Sequence, residues 1–237
     1  MKYFFAKDFA GPPFELFKAP HLVALTIVAL CALFLLFLRK YSRLSNWFRC
    51  SLGILLVVQE ISYHLWNIYI QEWTLQKMLP LHVCTVFVWL SAFMLFTKNR
   101  FVYEFAYFLG IAGALQALLT PDIAEYGFPH YRFFHVFISH GAITLAALYM
   151  TIVEGYRPTW RSFGKVFLWL NIYVVFVYIV NVLIGSNYMF VLHKPETASL
   201  LDVLGPWPVY IFVAEGVALV MFLILYLPFA IYDWRKI

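Results

Sequence analysis

Seven long apolar runs follow one another along the chain, and short polar or charged segments separate them. About 20 apolar residues are enough to cross a hydrocarbon core of roughly 30 Å as an α-helix. A helix satisfies its own backbone N–H and C=O groups, which lipid cannot do. The pattern therefore predicts an all-α polytopic membrane protein with one bundle of seven transmembrane helices, near residues 20–38, 48–70, 79–97, 101–120, 131–153, 163–184 and 208–231.

The composition supports this prediction. Hydrophobic residues make up 64% of the chain, charged residues only 12%, and the mean hydropathy is +0.81, which excludes an ordinary soluble globular protein. The polar connections are too short for a soluble domain. We expect one seven-helix transmembrane domain over residues 20–237. It follows an interfacial N-terminal segment, 1–19, in which phenylalanines stand among charged residues.

The distribution of Lys and Arg predicts the orientation, because loops rich in positive charge stay in the cytoplasm. Eleven of the 17 basic residues fall on one side and predict an outside N-terminus and a cytoplasmic C-terminus in a cell membrane. The net charge of +5 then reflects topology and does not imply a nucleic-acid partner. The basic side holds Arg39, Lys40, Arg43, Arg49, Lys98, Arg100, Arg157, Arg161, Lys165, Arg235 and Lys236, and the other holds Lys2, Lys7, Lys18, Lys77, Arg132 and Lys194.

The second predicted helix carries four polar side chains on one face, Glu60, Tyr63, His64 and Asn67. A charged residue at the bilayer centre costs at least ~2.5–3.5 kcal/mol on insertion scales, so Glu60 should face the bundle. His64, one turn above, is its expected partner. The pair is interpreted either as a buried clasp between helices or as a proton route behind a site.

The third predicted helix places Cys84 about one turn after Pro80, near the positive end of the helix macrodipole. That position favours a thiolate. His82 lies about 200° away around the helix, so a base for Cys84 should come from another helix. A small residue in a tight interface is the competing interpretation. The other two cysteines, Cys31 and Cys50, are too far apart in depth to pair and indicate packing.

The outer halves of the other helices add polar side chains at a similar depth. His135 and His140 are rotated about 140° from each other, so we expect one to line a cavity and the other to reach a neighbouring helix. Residues 185–207 have the length and polarity of an outer lid. The pattern predicts an outward-opening pocket, to which the fourth, sixth and seventh helices add Gln116, Asn181 and Glu215.

Several short motifs resemble those of a known family. They are Leu79-Pro80-Leu81-His82-Val83-Cys84, the stretch 118–122, Phe134-His135, Ser139-His140-Gly141, and the stretches 185–188 and 204–208. Their order and spacing resemble the YwaF family of bacterial integral membrane proteins. More distantly they resemble the transmembrane-protein-164 type of eukaryotic phospholipid acyltransferase. The resemblance implies that Cys84 accepts the acyl group, that a fifth-helix histidine, His140 before His135, is its base, and that the protein lies in a bacterial plasma membrane.

Acyl transfer through a thiol needs a nucleophile, a base and donors to the oxyanion. Cys84 and His140 could supply the first two, with a phospholipid or other acyl lipid as substrate and with no metal or cofactor. Three alternatives stay open, a zinc-dependent intramembrane lipid hydrolase, a proton-linked transporter or sensor, and a non-catalytic binding protein. The donors and supporting residues are predicted among His82, Gln116, Asn181, Glu60, His64 and Glu215.

Overall fold

The computed structural model describes residues 3–123, 125–195 and 200–234, and these residues form an all-α structure with no strand among them. Three residues of the predicted charge distribution, Lys2, Arg235 and Lys236, and residues 196–199 of the predicted lid lie outside the described residues. A π-helical turn, Ala106–Gly110, joins α5 to α6. The α-helices are α1 (Ala19–Leu38), α2 (Ser42–Tyr69), α3 (Leu75–Met78), α4 (Val83–Thr97), α5 (Arg100–Phe105), α6 (Ile111–Leu119), α7 (Tyr131–Ile152), α8 (Trp160–Ile184) and α9 (Val209–Trp234).

The all-α prediction is confirmed, and five helical stretches of the described chain are long and apolar enough to cross a membrane. They are α1, the continuous run Arg100–Leu119, α7, α8 and α9. The sequence pattern predicted two more. One corresponds to α4, an apolar helix of only 15 residues, and the other to α2, which is long but interrupted by polar side chains.

Helix α4 begins at Val83, four residues later than predicted, because the segment before it is extended. Leu79 has ψ of 145°, as expected for a residue before proline. Two tyrosines hold this extended segment: the Leu79 N–H donates to Tyr188 Oη over 2.8 Å, and Tyr173 Oη donates to the Leu81 carbonyl over 2.9 Å. Cys84 is therefore the second residue of α4 rather than a full turn inside it.

Helix α7 lies at the centre of the bundle and packs against α1, α2, α4 and α6. Of the residues in its most apolar 18-residue stretch, 78% are buried. The corresponding buried shares of α8 and α9 are 17% and 11%. Their exposed side chains are mostly apolar, which suits contact with lipid. Helix α9 lies at the edge of the bundle, since Tyr210 and Phe222 are its only buried side chains among the described residues.

The N-terminal segment, described from residue 3, is fastened over the Tyr69 end of α2 and the start of α7. Trp66 Nε1 donates to the Phe5 carbonyl over 3.1 Å, and His130 Nε2 donates to the Ala6 carbonyl over 2.9 Å. Lys7 Nζ lies 2.6 Å from Glu72 Oε1.

Glu72 joins this segment to α3 as well, because Lys77 Nζ lies 2.7 Å from its other carboxyl oxygen. Hydrogen bonds from Lys7 and Lys77 lower the pKa of the Glu72 carboxyl to about 2, and the same contact raises the pKa of Lys7. The N-terminal segment is thus held by backbone hydrogen bonds and by a small ionic network.

Candidate active site

The thiol of Cys84 lies at one end of the bundle, called here the Cys84 end, and faces α6. Its Sγ is 3.6 Å from the position that a Cβ on Gly113 would occupy. A larger residue at 113 would fill the space beside the thiol. The glycine thus keeps Cys84 half-exposed within the bundle.

His140 lies in the same layer as this contact. One turn further into the bundle, the Cβ position of Gly110 lies 3.4 Å from both Ile143 and Phe87. α4 and α7 run antiparallel to α6, so three residues forward on α6 corresponds to three residues back on α4 and on α7. From Gly110, Phe87 and Ile143 this step leads to Gly113, Cys84 and His140. The helix register therefore places Cys84 and His140 at a similar depth, and no hydrogen bond among the described residues joins the thiol to the imidazole.

The hydrogen bond of His140 fixes which ring nitrogen can act as a base. Nδ1 lies 2.8 Å from the carbonyl oxygen of Val136, which can only accept, so Nδ1 carries the proton. In the neutral ring Nε2 then carries the lone pair. This is the tautomer that a general base needs.

His82 is the N-cap residue of α4 and packs against the segment that follows α8. Its Nδ1 accepts from the Met189 N–H over 3.3 Å, which leaves a proton on Nε2 of the neutral ring. The ring also contacts Tyr188 and Phe190. No described side chain caps α4, so the backbone N–H groups of its first turn are available as further donors beside Cys84.

Asn181 holds the first part of the predicted lid. Its Oδ1 accepts from Ser186 Oγ over 2.7 Å and from the Tyr188 N–H over 2.8 Å, and its Nδ2 donates to the Tyr188 carbonyl over 2.9 Å. The side chain is fully buried. Its amide therefore fixes the loop, and its predicted part in substrate binding stays a prediction.

The rest of the described lid is tied to α9. Trp207 Nε1 donates to the Val191 carbonyl over 3.1 Å, and Tyr210 Oη donates to the Phe190 carbonyl. Met189 and Phe190 both have left-handed φ values, 58° and 55°. Two such non-glycine residues in succession are costly, and they aim the Met189 N–H at His82.

A second polar cluster lies between α2 and α7 and includes the other predicted histidines. His64 Nε2 is 3.7 Å from Glu60 Oε1, and Glu60 is only 3% exposed. His135 stacks on Tyr63 with ring centroids 4.3 Å apart, and its Nδ1 lies 3.0 Å from Arg132 Nη1. Of the two histidines on α7, His135 is thus the one that reaches a neighbouring helix, α2.

Two buried polar atoms of the region between α2 and α7 have no hydrogen-bond partner among the described residues. Arg132 can only donate, so His135 Nδ1 accepts and Nε2 carries a proton that meets no acceptor. Gln59 Oε1 is an acceptor that meets no donor. Such buried groups are rare in native structures and mark places where water or a ligand enters.

Two predicted residues join neither cluster. Gln116 is exposed, and Glu215 is half-exposed with no hydrogen bond or ion pair to a described residue. Within the described chain, no three His, Cys, Asp or Glu side chains come together in a way that could hold a metal ion.

Sequence reasoning missed Tyr173, Tyr188 and the contacts of Arg132. The tyrosines act through backbone atoms about one hundred residues away, and no spacing along the chain marks such contacts. Arg132 carried one available signal, a cation at the very start of an apolar span.

A model of the TMEM164 family matches residues 16–226, a range that includes every candidate residue above. No curated protein and no solved structure matches the chain.

Proposed function

This chain belongs to the TMEM164 family of membrane proteins, and on that premise we propose that it is a membrane-embedded lipid acyltransferase or acyl hydrolase. Cys84 is the nucleophile and His140 its base. The substrate is a phospholipid or another acyl lipid.

The topology is part of the proposal. α2 and α4 join the five apolar stretches to make seven spans, the N-terminus lies outside, and the C-terminus lies in the cytoplasm of a bacterial plasma membrane. The excess of Lys and Arg at the opposite end from Cys84 supports this orientation. The Cys84 end then lies at the depth of the outer leaflet, and residues 185–207 form its lid.

One observation carries the proposal: Cys84 and His140 share a layer in which His140 Nδ1 is bound to the Val136 carbonyl. A thiol needs a nearby base to attack an ester. Because His140 Nδ1 is bound to the Val136 carbonyl, Nε2 of the same ring is free to take the proton. The small residue Gly113 also leaves space beside the thiol for the ester of a lipid.

The reaction proceeds in two half-reactions. His140 Nε2 removes the Cys84 proton, and Sγ attacks the ester carbonyl of the lipid. The carbon–oxygen bond to the lysolipid breaks, and His140 returns the proton to the departing oxygen, which leaves a thioester on Cys84. An acceptor hydroxyl, or water in the hydrolase, then gives its proton to His140 and attacks the thioester, and the proton returns to the released thiolate.

The oxyanion formed in each half-reaction meets donors at the start of α4. The free N–H groups of the first turn and the Nε2–H of His82 are the available ones. Losing one such donor typically costs about 10²–10³-fold in rate. The Tyr188–Phe190 turn orients His82 for this role.

Intact-protein mass spectrometry after incubation with phospholipid tests the proposal. Wild type is expected to carry one acyl group that hydroxylamine removes, and Cys84→Ala to carry none. His140→Gln should slow adduct formation by about 10²–10⁴-fold, the usual contribution of a general base.

Cys31→Ala and Cys50→Ala are matched controls, since both thiols are free and lie elsewhere. They should keep the adduct. An adduct that persists in Cys84→Ala sinks the proposal. Stoichiometric zinc without an adduct would point to the metal hydrolase instead, and neither adduct nor zinc to transport or a binding role.

One observation favours a proton-linked transporter or sensor as a second candidate. Glu60 is a buried carboxyl 3.7 Å from His64, and polar atoms of Gln59 and His135 with no partner among the described residues lie on the same two helices. Intramembrane carboxyl–histidine pairs commonly carry protons. In proteoliposomes under a pH gradient, proton flux in wild type that Glu60→Gln abolishes and Cys84→Ala leaves unchanged would select this candidate.

A further inference from the structure

The turn between α1 and α2 forms a cationic cavity at the end of the bundle opposite Cys84. The cavity has a volume of about 510 Å³. Arg39 precedes it directly in the chain and is exposed as well. The residues that line the cavity are Lys40, Tyr41, Ser42, Arg43, Leu44 and Trp47.

The cations of this turn lie close together in the chain, and no acidic side chain of the described residues pairs with them. Arg39, Lys40 and Arg43 make no ion pair with any acidic side chain in the described part of the chain. By contrast, Lys98 pairs with Glu154, Arg157 with Asp233 and Lys165 with Glu104. The turn thus concentrates positive charge that the protein itself does not neutralise.

Exposed aromatic and apolar side chains surround these cations. Trp47 is 66% exposed and Tyr41 49% exposed, and Leu44 is exposed beside them. Trp and Tyr favour the headgroup level of a bilayer, where one part of the ring is wet and the other apolar. Free phosphate would gain nothing from these rings, whereas a lipid would contact them with its glycerol and upper acyl carbons.

The turn is rigid, so the cavity does not have to form on binding. Tyr41 N–H donates to the Leu38 carbonyl over 3.1 Å, and Ser45 N–H donates to the Tyr41 carbonyl over 2.9 Å. The buried hydroxyls of Ser45 and Tyr149 lie 2.6 Å apart and anchor the start of α2 to α7. No described side chain caps the first-turn N–H groups of α2, which belong to Ser42, Arg43 and Leu44 of the cavity lining.

We infer that this cavity binds the phosphate group of an anionic phospholipid from the leaflet at the α1–α2 turn. Lys40 and Arg43 pair with the phosphate, and Tyr41 and Trp47 hold the lipid at headgroup depth. The site is separate from the proposed acyl chemistry, and it would remain if that chemistry were disproved.

Native mass spectrometry of the full chain tests the inference, with phosphatidylglycerol and phosphatidylcholine supplied in equal amounts in detergent. Wild type should retain phosphatidylglycerol in preference. Each basic residue near an anionic surface contributes about fivefold in affinity, so Lys40→Gln with Arg43→Gln should weaken retention roughly thirtyfold. Trp47→Ala should weaken it too, without any change of charge.

The control is Arg100→Gln with Arg161→Gln, which removes two exposed cations from the same end of the bundle. It should keep most of its phosphatidylglycerol, because those residues lie outside the cavity and do not touch a lipid bound there. Equal retention of the two lipids by wild type overturns the inference, and so does an equal loss in the control. Displacement of phosphatidylglycerol by inorganic phosphate at matched concentration would overturn the lipid as occupant. The Trp47→Ala variant and the salt dependence of wild type keep the test decisive if the double variant fails to fold.

Discussion

The Sγ atom of Cys84 lies 3.6 Å from the point at which a Cβ on Gly113 would stand. A methyl group there would make ordinary van der Waals contact, whereas a branched side chain would press on the thiol. The free space beside the Cys84 thiol is therefore limited by the size of one residue on α6.

Gly113→Val should slow alkylation of Cys84 by at least about tenfold, and Gly113→Ala by little, because only the branched group covers the sulfur. The measurement is the rate of maleimide labelling in a Cys31→Ala, Cys50→Ala background. Gly164→Val is the matched control, since nothing lies within 4 Å of a Cβ there. Equal rates in Gly113→Val and the control would show that the thiol is approached from another side.

Asn181→Ala should release the segment after α8. Three hydrogen bonds disappear, and the Tyr188 N–H and C=O are left buried, at a cost of about 1–3 kcal/mol for each unsatisfied group. Hydrogen exchange across residues 185–192 should rise, and thermal stability in detergent should fall. Asn171→Ala is the control, because the Asn171 amide bonds only the Phe167 carbonyl of its own helix. Unchanged exchange in Asn181→Ala would contradict the role of the amide as the fastener of the lid.

The helical phases could be predicted from the sequence because they depend only on local spacing. For this reason the sequence predicted that Glu60 and His64 share a face. It also predicted that His135 and His140 point in different directions. The start of α4 could not be predicted, since Leu79–His82 is held extended by Tyr173 and Tyr188 from another part of the chain.

The hydrogen-bond partners of the candidate residues could not be predicted from their spacing along the chain either. Depth along a helix placed Asn181 and Glu215 near the thiol, yet Asn181 is used entirely by its own loop and Glu215 has no partner among the described residues. Which atoms meet depends on how closely the helices pack, and most side chains of α9 are not buried.

His135→Ala should destabilise the protein without removing the acyl adduct. The ring loses its stacking on Tyr63 and its contact with Arg132, and a cavity opens between α2 and α7, for a loss of about 1–3 kcal/mol. Thermal unfolding in detergent and the mass of the adduct are measured together. Because His135 lies in the α2–α7 cluster, His135→Ala should keep an adduct rate near wild type, whereas His140→Gln should not. An adduct lost in His135→Ala at a temperature where that variant is folded would make His135 the base.

The attachment of the N-terminal segment should be insensitive to pH between about 7 and 10. Below that window it should weaken, because burial lowers the pKa of His130, which donates to the Ala6 carbonyl. The pKa of Glu72 is lowered to about 2, so its contribution is complete above the ordinary carboxyl range, near 4.3, and fades as pH falls toward 2. The pKa of Lys7 is raised, so its contribution is complete below about 10.4 and is lost only as pH rises beyond its folded value. Hydrogen exchange of residues 3–18, corrected for its intrinsic pH dependence, should therefore stay level across that window. It should rise in 1 M salt, because the Debye length then falls to about 3 Å.

Glu72→Gln should raise exchange at every pH in the window, since both lysines lose their partner. Glu15→Gln should not raise exchange. Its carboxyl lies 3.6 Å from Lys18 Nζ, but both side chains are exposed and both belong to the N-terminal segment, so the pair does not fasten the segment to α2 or α3. A rise in exchange within the window in wild type would mean that a different group holds the segment.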